Sequence, residues 1–372
     1  MNDYIVFGRP ALGKDHIQAV TETLESNWIG RGPKVSAFEN DLKNFTKQEH
    51  AVAVSSCTAA LHLAAECLNL SAGDEILVPA LTFAATANAM LYTGAKVKFI
   101  DSAPGGYCLD PKNLPVGPET KAAVAVHMHG ERCDVKALHD AGLKVIEDAA
   151  HALELESLGQ YSEAVCFSFY ASKNITTIEG GALTSRSADF VARARVLSQH
   201  GLSSDAWTRY STAGFKHYLV TELGYKYNMT DVQAALGSVE LKHLPSYQRK
   251  RRRLWEIYSR ELENTGLALP RGGYDHALHL YAPRIESEKF TVSRDELMHA
   301  LHEKRIGTGV HYLSLCEHPY YQRALGVNPE TCPNAMKVGR ETFSLPFSQY
   351  VSDDQAAYIC DTLKALTQKH RR

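Results

Sequence analysis

The sequence lacks any Cys-x-x-Cys pair. Its eight cysteines (Cys57, Cys67, Cys108, Cys133, Cys166, Cys316, Cys332 and Cys360) are scattered along the chain. That spacing speaks against a zinc site and for reduced thiols in a cytoplasmic protein. No apolar run is long enough to span a bilayer. Met1-Asn2-Asp3-Tyr4 lacks the basic and apolar regions of a signal peptide. An excess of one charge is missing too. The formal net charge of −2 gives no electrostatic reason to expect nucleic acid or an acidic membrane as partner. Internal repeats, low-complexity tracts and a glycine-rich phosphate loop of the Walker type are absent. What is present is the balance of a soluble globular protein, 44% hydrophobic and 22% charged. The length suits two domains.

Strand and helix patterns alternate through the first half. Ala11 to Trp28 and Val35 to Phe45 read as helices by apolar spacing, for example Ile17, Val20 and Leu24. Short apolar strands follow at Ala51–Val54, Glu75–Val78, Lys96–Ile100, Ala122–Val126, Lys144–Ile146 and Ala164–Phe169. Helices fall between them at Thr58–Leu68, Phe83–Leu91 and Val135–Ala141. This order predicts an α/β fold with a mostly parallel sheet covered by helices. Ligands of such sheets bind beyond the carboxyl ends of the strands. Past Gly181 the pattern changes. Ser187–His200 reads as a helix, and residues 202–228 read as an irregular loop. Two helices are expected next, Thr230–His243 and one opened by Pro245 and reaching Asn264. Strands near His279–Ile285 and Thr308–Tyr312, with helices Ser293–Lys304 and Asp353–Gln368, complete a smaller α+β domain. The expected division is 1–243, with an N-terminal helical arm, and 244–372.

The segment Phe167 to Gly181 carries the chemistry. Lys173 follows an apolar strand, stands five residues after Ser168 and precedes Glu179-Gly180-Gly181. A lysine amine attacks an aldehyde only when unprotonated, so it needs a site that lowers its pKa. A strand end in a sheet cleft supplies that desolvation. Glycines permit positive φ and close backbone approach. The pattern suits a Schiff-base lysine for pyridoxal phosphate, with the phosphate beside Ser168. Taken alone, Lys173 reads as a solvated lysine after an edge strand, and the rest of the chain reverses that reading.

Other segments offer partners for such a cofactor. Asp148 ends the strand Lys144–Ile146. A buried carboxylate there keeps a pyridine nitrogen protonated, though Asp also favours helix N-caps. Ser55-Ser56-Cys57-Thr58 joins a strand to a helix start, where free N–H groups suit a phosphate. Simple N-capping explains it as well. Phe83 follows a strand end and could stack on a flat ring or fill the core. His127-Met128-His129 has no matching ligand set, so no metal is expected. The basic run Arg249 to Arg253 reads as a solvated face or a subunit contact.

With Lys173, Asp148, Thr58 and Phe83 in this order, the chain resembles the DegT/DnrJ/EryC1/StrS family of sugar aminotransferases. The likeness runs from Gly8-Arg9-Pro10 through Glu147-Asp148-Ala149-Ala150-His151 and the lysine segment to Gly224–Asp231 and Gly307–Tyr312. It implies a fold-type-I pyridoxal-phosphate transferase with a seven-stranded type of sheet. By resemblance, Lys173 forms the Schiff base and moves the proton. Asp148 pairs with the ring nitrogen, His151 lies near the ring hydroxyl and Phe83 stacks on the ring. Thr58 and Ser168 hold the phosphate. Cys57 stands beside it where many members have glycine. Asn228 is donated to the phosphate across a homodimer interface, so two subunits share the active site.

The resemblance further implies L-glutamate as amino donor and a nucleotide-linked keto sugar, most often a 4-keto sugar, as acceptor. Such reactions serve lipid A, surface polysaccharide or related amino-sugar synthesis. Arg9, Gly32-Pro33-Lys34, His200-Gly201-Leu202 and Gly224–Tyr227 resemble the branch that makes UDP-4-amino-4-deoxy-L-arabinose. Arg209, Lys226, His311 and Tyr312 are candidates for sugar contacts. Glu154–Leu158 departs from the family pattern beside the cleft, as does a short helix between His129 and Lys144. Two other readings remain open on sequence alone. One is a sugar dehydratase of the same family, against which Lys173 counts. The other is a non-catalytic regulator with the same fold.

Overall fold

The computed structural model describes residues 4–10, 12–112, 114–203, 217–273 and 275–372. Its centre is a seven-stranded sheet: β1 (His50–Val54), β2 (Glu75–Pro79), β3 (Lys96–Ile100), β4 (Thr120–Val126), β5 (Lys144–Asp148), β6 (Ala164–Ser168) and β7 (Gly181–Ser185). The spatial order is β1-β7-β6-β5-β4-β2-β3. β7 runs antiparallel to both neighbours, and the other pairings are parallel. The central strands are buried along most of their length. That burial explains their continuous Ala/Val/Ile runs in place of alternation.

β7 is the strand that the apolar pattern did not announce. Gly181, Thr184 and Ser185 dilute its signal, and its core contribution rests on Ala182 and Leu183. Inserted antiparallel between β1 and β6, it brings the loop that carries Lys173 back across the sheet end.

Helices Cys57–Cys67 and Ala84–Leu91 pack on one face of the sheet, in a core with Val52, Ile76, Val124 and Leu183. Pro33–Thr46 and the first part of Asp231–Leu262 share the opposite core, with Phe38, Phe167 and Phe169. The expected pair of helices on either side of Pro245 is one 32-residue helix, Asp231–Leu262. Proline costs that helix one internal hydrogen bond. Burial of Leu241, Leu244, Tyr247 and Leu254 on both sides of Pro245 holds it continuous. Its N-terminus has a capping box, Thr230 with Gln233. Buried Asp231 also accepts from the amides of Gly32, Lys34 and Val35 at 2.7, 3.1 and 3.0 Å. One carboxylate thereby caps the start of a second helix.

A separate core gathers Leu254, Tyr258, Leu297, Phe343, Ile359 and Leu363, together with Ile5 from the N-terminal segment. The strands expected near 279–285 and 308–312 form only single bridges, Arg284 with Ala268 and Thr342, and Gly309 with Ser344. Pro283 has no N–H to give, so its carbonyl accepts from Phe343 but no ladder extends. The helices Pro319–Leu325 and Pro333–Glu341, each opened by proline, complete this part.

Candidate active site

Residues at the carboxyl ends of β1, β2, β5 and β6 meet His311 and Tyr312 from the C-terminal part of the chain. There they line a cavity of about 300 Å³. Cys57, Thr58, Phe83, Asp148, His151, Ser168, Lys173, His311 and Tyr312 all face it. The lysine loop is closed on itself. Phe169 donates its amide to the Gly180 carbonyl, Thr177 to the Phe169 carbonyl and Lys173 to the Tyr170 carbonyl, each at 2.9 Å. The Thr176 amide donates to Glu240 on the long helix at 2.8 Å, which ties the loop to the opposite core. Burial pushes the Lys173 amine down to about 8, against the pull of Cys57 and Asp148.

Asp148 is buried at the end of β5. It accepts from Thr86 Oγ1 at 2.8 Å and from the Ala150 amide at 3.1 Å, and the Cys57 thiol lies 3.9 Å away. Burial holds its carboxyl above the usual range despite these donors and the Lys173 charge. It caps no helix; it is an acid aimed into the cavity. Burial also raises the Cys57 thiol well above its ordinary value, which disfavours the nucleophilic thiolate.

The helix Cys57–Cys67 is capped by Ser56, whose Oγ accepts from the Ala59 amide at 3.1 Å. Thr58 is thus not the cap. The first amides of this helix have no intrahelical acceptor. Gly181 lies directly beneath. A Cβ there would stand 2.4 Å from Ser56 C and 2.5 Å from Cys57 N. Close approach, not positive φ, is what requires glycine at this position. The left-handed residue in the lysine loop is Ile178.

Phe83 is 57% exposed, with its ring 5.3 Å from that of Tyr312. It is therefore not core. His151 Nδ1 accepts from the His129 amide at 3.2 Å, and the Tyr312 hydroxyl lies 3.4 Å from His151 Nε2. Burial, then the Lys173 charge, hold His151 neutral. His311 bonds Ser344 at 2.9 Å and is pushed down to about 4 by burial and by Lys173.

Two expected contacts lie elsewhere. Lys226 bridges Gln199 and does not line the cavity. Asn228 bridges Val54, and its Oδ1 is buried without a partner among the described residues. Arg209 lies outside the described residues. His127 bonds Glu147 at 2.9 Å and accepts from the Cys133 amide at 3.1 Å, so both ring nitrogens are taken. Arg251, expected on a solvated face, is buried and donates to the carbonyls of Leu278, His279 and Phe347.

Sequence reasoning passed over Phe7, Thr86 and His279 at this site. Phe7 stacks on His311 at 5.2 Å. Thr86 stands one helical turn beyond Thr82, and the two hydroxyls meet at 2.9 Å. His279 sits in the apolar run Ala277–Ala282, where a lone histidine is itself a signal.

The sequence profile of the DegT/DnrJ/EryC1/StrS aminotransferase family matches residues 10–364. The spore coat polysaccharide biosynthesis protein SpsC of Bacillus subtilis is 41% identical, over 98% of this chain and 97% of its own length. Among solved structures, the PMP form of Spr1654 from Streptococcus pneumoniae, designated a sugar aminotransferase, superposes with a TM-score of 0.91. It is 28% identical and is covered to 99%, against 98% of this chain. DesI, solved in the presence of its TDP-sugar product, gives 0.87 at 27% identity, over 99% of this chain and 94% of its own. The chain belongs to the DegT/DnrJ/EryC1/StrS aminotransferase family.

Proposed function

We propose that this family member uses pyridoxal 5'-phosphate to transfer an amino group from L-glutamate to the C4 keto group of a nucleotide-linked sugar. The observation that carries the reading is the convergence of Lys173 and Asp148 on one cavity beside the first amides of the helix Cys57–Cys67. The residues present fit the cofactor. Asp148 is a buried acid that forms no ion pair among the described residues, which leaves it free for a protonated ring nitrogen. The helix start above Gly181, with Thr58 and Ser168, suits a phosphate. When bound, the cofactor supplies an electron sink for charge developing at the substrate carbon.

The remaining work belongs to the chain. Lys173 moves a proton between the substrate carbon and the cofactor. Asp148, fixed by Thr86 and Ala150, keeps the ring nitrogen protonated. His151 stays neutral, within 3.4 Å of the Tyr312 hydroxyl, and would face the ring hydroxyl of the bound cofactor. Phe83 covers one face of the cavity and helps exclude water. Cys57, which lines the cavity, would pack beside the phosphate.

SpsC supports a role in polysaccharide biosynthesis by its description, and DesI supports a nucleotide-linked sugar. The acceptor type of the UDP-4-amino-4-deoxy-L-arabinose branch rests on the local motifs at Arg9 and Gly224–Tyr227. We infer a homodimer in which Asn228 serves the neighbouring copy's cavity. Its unpartnered Oδ1 and its place outside its own cavity support this. So do Leu219, Val220 and Leu223 nearby, which are 69, 68 and 87% exposed.

The test is a visible spectrum of purified protein before and after L-glutamate. A band that disappears on adding glutamate and returns with a UDP- or dTDP-linked 4-keto sugar is the expected result. Silence toward every amino acid tried would overturn the assignment.

A further inference from the structure

The segment that departs from the family pattern begins at Glu154. Its carboxylate lies against the residue that follows Lys173. Glu154 Oε1 accepts from Asn174 Nδ2 at 2.6 Å, and the same Nδ2 donates to the Ala277 carbonyl at 3.1 Å. Gln248 on the long helix donates to both of these acceptors. Neither an ionised carboxylate nor a carbonyl can donate. The amide of Asn174 is therefore fixed with its NH2 toward Glu154 and its oxygen on the other side.

That oxygen lies 2.7 Å from His279 Nδ1. An amide oxygen only accepts, so Nδ1 must carry the proton. Asn174 and His279 are both buried. His279 faces the Lys173 cavity, and its ring lies 4.4 Å from that of His151. The charged and titratable groups around it are Lys173 in the neighbouring loop, Arg251 on the long helix, and the neutral rings of His129, His151 and His311. Arg251 also donates to the His279 carbonyl at 3.0 Å and holds the backbone. Burial, then Lys173 and Arg251, oppose a second proton on the ring.

We propose that Glu154, acting through Asn174, locks His279 as the neutral tautomer protonated on Nδ1. A bare Nε2 then accepts a hydrogen bond from a substrate N–H or O–H entering the cavity beside Lys173. Glu154 and Asn174 are positioning residues. The role assigned to Nε2 rests on the aminotransferase reading; the tautomer does not.

Nitrogen NMR of purified protein with 15N-labelled histidine tests the lock directly, with His279→Gln identifying the signal. The expected result at pH 7 and 8 is a pyrrole-type Nδ1 and a pyridine-type Nε2. Glu154→Gln keeps an acceptor oxygen for Asn174 and is expected to preserve the tautomer. Asn174→Leu is expected to release it. With glutamate and a keto sugar, Asn174→Leu and His279→Gln should each lower kcat/KM roughly ten- to hundredfold, the cost of one unmade buried hydrogen bond. The double variant should be no worse than His279→Gln alone. A wild-type His279 protonated on Nε2 overturns the proposal without recourse to any variant, as does a tautomer unchanged in Asn174→Leu. The expected tautomer in a protein that transfers no amino group would sink the reaction and leave the lock standing.

Discussion

Lys173, Asp148 and Glu154 are set by burial in ways that separate experiments can read. Lys173, held near 8, is mostly protonated at neutral pH in the cofactor-free protein. The rate of pyridoxal-phosphate uptake should therefore rise roughly tenfold per pH unit below 8 and level off above it. Stopped-flow absorbance checks this, and a flat profile from pH 6 to 9 would contradict it. Asp148→Asn removes the acid proposed to keep the ring nitrogen protonated. Turnover should fall roughly a hundredfold or more, the usual loss when one aimed electrostatic partner goes. Glu154 is pushed up from 4.5 to about 6 by burial, against its hydrogen bonds from Asn174 and Gln248. A raised folded-state pKa means stability that is complete below about 4.5 and lost as pH rises through about 6. Glu154→Gln should match the wild type at pH 4 and exceed it by up to about 2 kcal/mol at pH 8 in urea melts. Equal stability at pH 8 would mean that the carboxylate is not desolvated.

At the scale of elements, the site depends on how closely one helix start sits on β7. Gly181→Ala places a methyl group against the backbone of Ser56 and Cys57. Overpacking of this kind costs about 1–3 kcal/mol, and the displaced helix start should also weaken phosphate binding. Thermal melts with and without pyridoxal phosphate distinguish the two effects, and a smaller cofactor-induced rise in Tm is expected for the variant. This strand was hidden in the sequence because Gly181, Thr184 and Ser185 interrupt its apolar run. The reverse error occurred at Pro245. A proline usually divides helices, but tertiary burial on both sides keeps Asp231–Leu262 whole. The apolar segments near 280 and 310 read as strands because they are buried, yet burial alone does not make a ladder. Their backbones find partners one residue at a time.

For the whole molecule, the proposed dimer has Asn228 act across the subunit interface. Sedimentation velocity should give a dimer. Lys173→Ala and Asn228→Ala homodimers should both be impaired, and mixed dimers should regain activity, because one of their two sites is intact. No recovery on mixing would place Asn228 in its own subunit's chemistry.

The sequence alone determined the alternating strands and helices, the lysine and acid at two strand ends, and the family. Those features are local: apolar periodicity, turn residues and short motifs survive reading along a line. Only the tertiary structure decided that Thr86 and the Ala150 amide aim Asp148, that Ser56 rather than Thr58 caps the helix, and that Arg251 points inward. It also decided the chain of bonds from Glu154 through Asn174 to His279. Glu154 and His279 are 125 residues apart in sequence. Hydrogen-bond partners at such separations are set by how the elements pack, and no local pattern encodes them.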